Sequence, residues 1–436
     1  MHLFSLIGGV GHHQGAWRRP NSRAEGAMTL DYYSDIAALA ERGKIDALLM
    51  ADGLSVNGPR LASASFPHVE PMTMLSALAA RTSRIGLVGS VSTTFSEPYN
   101  VARQFATLDH ISAGRAAWNI VTSGHGELNF GDASLPSHSD RYERADEYLE
   151  VVTALWDSWE SDAIVLDRAN GVYADAAKVH RIDHVGKHFK VEGPLNVPRS
   201  PQGRPVLVQA GSSATGRTFA AKHAEVVFTA QQTLAGCQDF YSDIKARVRA
   251  EGRDPEKVKV FPGVHPLVGS TEAEALRMED ELRHLIRMDT GMTWLSKQLG
   301  GIDISGLDPS KPVPEELLPA VDTVQERRSR YEIFRQLAVE EKYSINRLIE
   351  AEVMSAGHLV VVGAPEQIAD RFAKWVAEGG ADGFMLLPSY LPEGLELIVD
   401  GIIPELRRRG LFRSDYTGTT LRDHLGLDPL TGSDRG

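Results

Sequence analysis

The chain has 436 residues, 42% of them hydrophobic, with 40 Gly and 22 Pro, a balance that excludes wholesale disorder, a collagen repeat and a coiled-coil rod. The 46 basic and 58 acidic side chains leave a net charge of −12, and repulsion from phosphate argues against nucleic acid or an anionic membrane surface as partner. One cysteine, Cys237, excludes a disulfide framework, and no leader-like start or membrane-length apolar run appears, so the expected location is the cytoplasm.

Residues 2–7 read as a first strand, followed by the loop GGVGHHQGAWRRP and a helix from Leu30 to Gly43. A strand over 47–51 leads through a loop containing Asp52, Gly53 and Pro59 to a helix over 72–81. The third unit is a strand over 85–91 and a helix from Pro98, a residue suited to a first helical turn, to about Ser112. The fourth is a strand over 116–121 with a helix over 139–158. Residues 161–204 break the rhythm and read as an insertion, with a hairpin around HFKVEG. It resumes with strands over 205–210, 225–230 and 259–269, and with helices from Ser213 and over 234–251. Residues 271–356 are helical by pattern with Pro-rich breaks at 309–319, and a helix from Pro365 to Gly379, a strand over 383–387 and a helix over 394–409 follow. Residues 411–436 read as a C-terminal tail.

Eight buried-looking strands, each followed by a helix, imply a parallel sheet, and over this length a single (β/α)8 TIM barrel with insertions at about 161–204 and 271–356. A doubly wound open sheet is the alternative. In a barrel the chemistry sits where strands end, which directs attention to Asp52, Ser90, Asn119 and Gly211-Ser212-Ser213. The run QAGSSATGR (209–217) places two hydroxyls before a helix, where free N–H groups attract an anion. Ser212 as a simple helix cap and a phosphate site that also uses Ser213 and Arg217 are both open at this point. His180, His184 and His188 have ligand-like spacing, but Gly186 and an irregular segment argue against a metal. His12 and His13 are adjacent rather than alternating, so metal-assisted hydrolysis is disfavoured as well.

The segments GHHQGAWRRP (11–20), HSDRYERADEYLEVV (138–152), QAGSSATGR (209–217) and VGAPEQIADRFAKWVAEGGADGF (362–384), with the stretch 86–123, resemble the bacterial luciferase-like flavin-dependent monooxygenases. The branch is that of the nitrilotriacetate monooxygenase large component, and the likeness runs from near residue 11 to near 409. The resemblance implies a luciferase-like barrel that takes reduced FMN from a separate NAD(P)H:FMN oxidoreductase. It also implies O2 as co-substrate, a flavin C4a-hydroperoxide, and insertion of one oxygen atom into a small organic molecule containing sulfur or nitrogen. Carried over by position, it assigns FMN contacts to Asp52, Ser90, Asn119, His138, Tyr142, Ser212 and Ser213. Asp52 and Ser90 line the isoalloxazine end, Asn119 meets the ring's polar edge, and Tyr142 with the serine pair holds the phosphate end. The family often has Thr where this chain has Ser90, which keeps the hydroxyl. His12 or His13 is the candidate proton donor, the plainer role being to hold the loop onto Trp17. Arg18 and Arg19 are candidates for an acidic substrate, the two insertions for lid and subunit contacts, and a homodimer or homotetramer is expected. The competing readings are a deazaflavin- or flavin-dependent reductase or dehydrogenase on the same barrel, and a non-catalytic FMN-binding protein.

Overall fold

The computed structural model describes residues 1–56, 61, 69–131, 134–324 and 328–430. Pro59 and residues 431–436 of the expected tail lie outside them. Strands β1 (His2–Ile7), β2 (Ala47–Met50), β3 (Gly86–Ser92) and β4 (Ala116–Val121) run parallel in register. The insertion then contributes two short antiparallel hairpins, β5 (Ile164–Asp167) with β6 (Val172–Ala174), and β7 (His184–Val185) with β8 (Lys190–Val191). Strands β9 (Val206–Gln209), β10 (Val226–Thr229) and β11 (Lys259–Val268) continue the sheet, followed by β12 (Leu359–Gly363) and β13 (Gly383–Leu386). β13 pairs with both β1 and β11, closing an eight-stranded parallel barrel. This is the TIM architecture that the alternation implied, not an open sheet.

The barrel interior is filled by side chains that alternate along each strand: Phe4, Leu49, Val88, Ala117, Val208 and Phe261. Phe4 meets the ring of Phe261 edge-on at 5.1 Å. The opposite faces bury a second layer under the helices, with Trp118 on β4 packed on Phe105 and Tyr148. Strands buried on both faces explain why they read as continuous apolar runs.

Three features depart from the sequence reading. β12 was not anticipated; it pairs with the outer half of β11, which at ten residues is long enough to pair with β13 below and β12 above. The expected hairpin is β7–β8, and β5–β6 is a second one. The C-terminal segment is not a loose tail. Its helix Leu421–Leu425 plugs the lower end of the barrel, where Leu421 packs on Gly86 so closely that a Cβ there would lie 2.6 Å from the leucine. Arg422 donates to Glu225 at 2.5 Å, Arg413 pairs with buried Asp46, and the Tyr416 hydroxyl donates to Ile45 O at 2.8 Å. The second insertion supplies helices Glu272–His284, Met288–Gln298, Arg328–Val339 and Ile345–Ser355, the last three sharing a small core around Leu295, Phe334 and Leu348. Among the described residues no helix is long and apolar enough to cross a membrane.

Candidate active site

At the upper, C-terminal end of the barrel, Ser90 on β3 and Asn119 on β4 are register partners, two positions along from the inward-facing Val88 and Ala117. Asn119 Nδ2 donates to Ser90 Oγ at 2.8 Å, while Asn119 Oδ1 is buried with no hydrogen-bond partner. Asp52, just beyond β2, joins Ser90, Val121 and Ser123 around a cavity of ≈ 380 Å³. Burial and the Glu70 carboxylate push the Asp52 carboxyl above its ordinary range, against the opposing hydrogen bond from Gly53 N–H.

A larger cavity of ≈ 750 Å³ adjoins it through the shared Val121, Ser123 and Gly124. Its wall includes His138, Tyr142, Gln209, Ser212 and Ser213, so the cleft as a whole gathers all seven residues assigned to the flavin except Asn119, whose side chain bonds to the lining Ser90. The helix His138–Trp156, capped by Ser137, sets His138 and Tyr142 on one face with ring centroids 4.9 Å apart. The Tyr142 hydroxyl bonds to Thr122, Ser213 and Gln209, yet burial dominates and raises its pKa. Gln209 Oε1 is a second buried acceptor with no partner.

The serine pair divides its work differently from the sequence expectation. Ser213, not Ser212, caps the helix Ala214–His223 by accepting from Gly216 N at 3.1 Å. Ser212 Oγ instead shares a hydrogen bond with Thr229 Oγ1 at 3.2 Å. Arg217 turns away from the cleft and donates to Asp243 at 2.8 Å. Two other guanidinium groups take the place expected for it. Arg141, 4% exposed, and Arg328, from the second insertion, both line the larger cavity. Burial and these two arginines hold His138 below its usual pKa. Arg141 was within reach of the sequence, three residues after His138 on the same helical face. Arg328 was not, because nothing in its spacing ties it to β9.

The two loop histidines separate. His13 is fully buried and its Nδ1 accepts from Gly15 N–H at 3.0 Å; burial, then Arg19 and Arg18, push its pKa down to about 4. His12 instead meets His265 of β11 edge-on at 4.6 Å and lies 6.1 Å from His358. Arg18 and Arg19 tie the loop to its surroundings. Arg18 donates to Leu285 O at 2.9 Å, and Arg19 stacks 3.9 Å over Tyr390 and pairs with Glu393 at 3.3 Å. His180 and His184 pair with Glu160 and Glu147, and no group of three His, Cys, Asp or Glu among the described residues is arranged to hold a metal ion.

Comparison with known proteins agrees with the closed barrel. The model of the luciferase-like monooxygenase family matches residues 9–383. The chain is 45% identical over 429 residues to N-acetyl-S-(2-succino)cysteine monooxygenase of Bacillus subtilis (strain 168), covering 97% of this chain and 96% of that protein. It is 46% identical over 440 residues to nitrilotriacetate monooxygenase component A of Aminobacter aminovorans, covering 98% and 96%. Among solved structures, a riboflavin lyase crystallised with modified FMN and riboflavin superposes with a TM-score of 0.88 at 32% identity, covering 98% of this chain and 96% of that one. With a closed eight-stranded barrel and a polar cleft at its mouth, the chain belongs to the luciferase-like monooxygenase family and is a flavin-dependent monooxygenase.

Proposed function

We propose that this enzyme is the oxygenase component of a two-component system, using FMNH2 delivered by a separate NAD(P)H:FMN oxidoreductase and placing one atom of O2 into a small organic substrate containing sulfur or nitrogen. The observation that carries the reading is the polarity of the cleft. One end has the features of a phosphate site, with a helix N-terminus, two serine hydroxyls, Arg141 and Arg328. The other end has a buried amide with an unspent acceptor, Asn119 Oδ1, beside the Ser90 hydroxyl, as a heterocycle rimmed with N–H groups requires. FMN has both characters, and the residues present fit it.

When bound, reduced FMN supplies the electrons that activate O2, with one oxygen atom going to the substrate and the other leaving as water. The protein's task is binding, orientation and exclusion of water. Ser212, Ser213, Tyr142 and the two arginines hold the phosphate end, and His138 stays neutral beside them. Ser90 and Asn119 orient the ring end, with Asp52 beside it. His12 is assigned the proton that accompanies oxygen transfer, while His13, with Nδ1 committed to Gly15, holds the loop. The insertion that contributes Arg328 roofs the mouth, so the anion that anchors the cofactor also draws the roof down.

The test is to supply chemically reduced FMN and O2 with a panel of thioethers, amines and sulfones, and to measure by mass spectrometry the gain of one oxygen, labelled from 18O2. Incorporation without NADH supports the proposal. Rapid reduction of FMN by the isolated protein with NADH counts against the two-component arrangement, and label absent from every product counts against oxygen transfer.

A further inference from the structure

Between Ser158 and His180 the chain forms one continuous arm. His180 N donates to Ser158 O at 2.8 Å, Glu160 N to Lys178 O at 3.0 Å and Asp175 N to Ala163 O at 2.8 Å, and β5–β6 carries the ladder on to the tip. The root is fastened to the main core through Leu195, whose carbonyl accepts from Trp159 Nε1 at 2.7 Å and whose N–H donates to Ser158 Oγ at 3.0 Å. Beyond the fully buried Ala163 this support ends. No apolar cluster among the described residues includes a side chain from 164 to 174. A two-stranded hairpin is marginally stable in water and gains stability from a further layer packed on it.

The tip is apolar nonetheless. Val165 is 48% exposed, Leu166 50%, Val172 42% and Tyr173 66%. Ile164 pairs with Ala174 and Asp167 with Val172, so Val165 and Leu166 together oppose Tyr173 alone, the two-to-one count of a bulge. Leu166 sits at φ 54°, a left-handed backbone that glycine adopts freely and leucine does not. A leucine held there in water gains nothing locally; its side chain has value only against another surface. The bulge also blunts the strand edge, so the arm offers a face to pack on and not a ladder to extend. Most of its charges are spent: Lys178 pairs with Asp162, and Asp167 accepts from Ala169 N, Asn170 N and Asn170 Nδ2. Arg168, at the tip, is exposed and forms no ion pair among the described residues.

Area and charge identify what covers this face. At these exposures the four side chains present about 400 Å² of surface, as much as the largest apolar patch of a typical monomer. One arm laid on an unrelated partner removes about twice that from water, which is short of a stable interface. Two arms exchanged across a two-fold axis double it again to about 1,600 Å², the standard size. The uncommitted cation at the tip is complementary to a chain whose net charge is −12. We infer that residues 158–180 are a dimerisation arm, by which each copy of the chain lays Val165, Leu166, Val172 and Tyr173 on the other across a two-fold axis. This surface lies outside the flavin cleft, and the inference is independent of the chemistry proposed above.

The experiment is sedimentation velocity of the full chain over a dilution series, with Leu166→Gly and Tyr173→Asp beside the wild type. Both positions are exposed and glycine suits the backbone at 166, so circular dichroism and FMN titration should be unchanged in the variants. Each should weaken association by about tenfold or more, the effect of losing a central apolar anchor. The double variant should halve the mass of the assembly at concentrations where the wild type is fully associated. A direct reading comes from Asn170→Cys carrying a benzophenone. Cys237 is buried and its thiol is pushed up to about 12, so the label goes to the tip alone. Irradiation should join two copies of the chain through that tip. A monomeric wild type, variants that associate as the wild type does, or cross-links confined to one chain would each overturn the inference. So would a tip that cross-links only when the proposed flavin oxidoreductase is added, because the arm would then dock that partner.

Discussion

Asn119 gives its amide hydrogen to Ser90 across the β3–β4 register, and its own carbonyl oxygen is left buried and unpartnered. A buried acceptor left open costs roughly 1–3 kcal/mol unless a ligand fills it. Asn119→Leu is therefore expected to weaken FMN and riboflavin alike, by about tenfold, because the ring end is common to both. Fluorescence titration of the two flavins checks this; a loss confined to FMN would place Asn119 at the phosphate instead.

Ser212 and Ser213 should now separate. Ser213→Ala removes a helix cap as well as a ligand hydroxyl, so it should lower stability by about 1 kcal/mol and weaken FMN. Ser212→Ala loses only the hydrogen bond to Thr229, so it should leave the melting temperature nearly unchanged while weakening FMN roughly tenfold. Riboflavin, without a phosphate, should respond to neither. Paired flavin titrations and thermal melts read each of these outcomes.

Arg328→Gln should weaken FMN by about tenfold or more and make the remaining affinity less sensitive to salt, since a charged contact has gone. Because Arg328 lies on the second insertion, the same variant should raise protease cleavage within residues 285–356 of the FMN-bound enzyme. Limited proteolysis with and without FMN measures it, and an unchanged cleavage pattern would dissociate the roof from the phosphate.

Acid should destabilise the fold through two buried histidines. Burial, first of all, brings His13 and His424 down to about 4 from an ordinary 6.5, with neighbouring arginines adding to the effect. Below pH 6.5 the unfolded chain takes up protons that the folded one refuses, so stability falls as the pH drops from 6.5 toward 4 and is independent of these two groups above that window. Near pH 4.5 each should cost on the order of 2–3 kcal/mol. Denaturant melts across this range should show a shallower fall for His424→Gln than for wild type. Parallel curves would mean that other groups govern the acid limb.

The barrel was legible because its eight strands are apolar on both faces and most are followed by a periodic helix, a pattern that local sequence carries. β12 was not, because its alternating burial occupies only five residues between a helix and Pro365, and its partner, the outer half of β11, is an extension that only the closed barrel reveals. Asp52, Ser90, Asn119, His138, Tyr142 and the serine pair were found by motif and sit around one cleft. Arg328, His265 and His358 were invisible to that reasoning. Each is an ordinary residue within a helical or apolar run, and its neighbours are set by how a long excursion folds back over the mouth. Arg217 was misplaced for a similar reason, since helix phase rather than proximity in sequence turns it toward Asp243.

The plug formed by Leu421–Leu425 also has a temporal meaning. The floor of the barrel joins β1 to side chains some four hundred residues later, with Arg413 reaching the Asp46 that also holds His2 and Leu3. During synthesis the upper chemistry can be laid down strand by strand, but Phe4, Ala47 and Val88 stay uncovered from below until residues 421–425 are translated. A nascent chain that has made β13 but not yet residues 421–425 thus has a closed wall over a wet apolar floor, the condition in which chaperones engage and aggregation begins. Premature termination anywhere upstream of residue 421 should accordingly yield a protein that is cleared, rather than a shortened enzyme that works poorly.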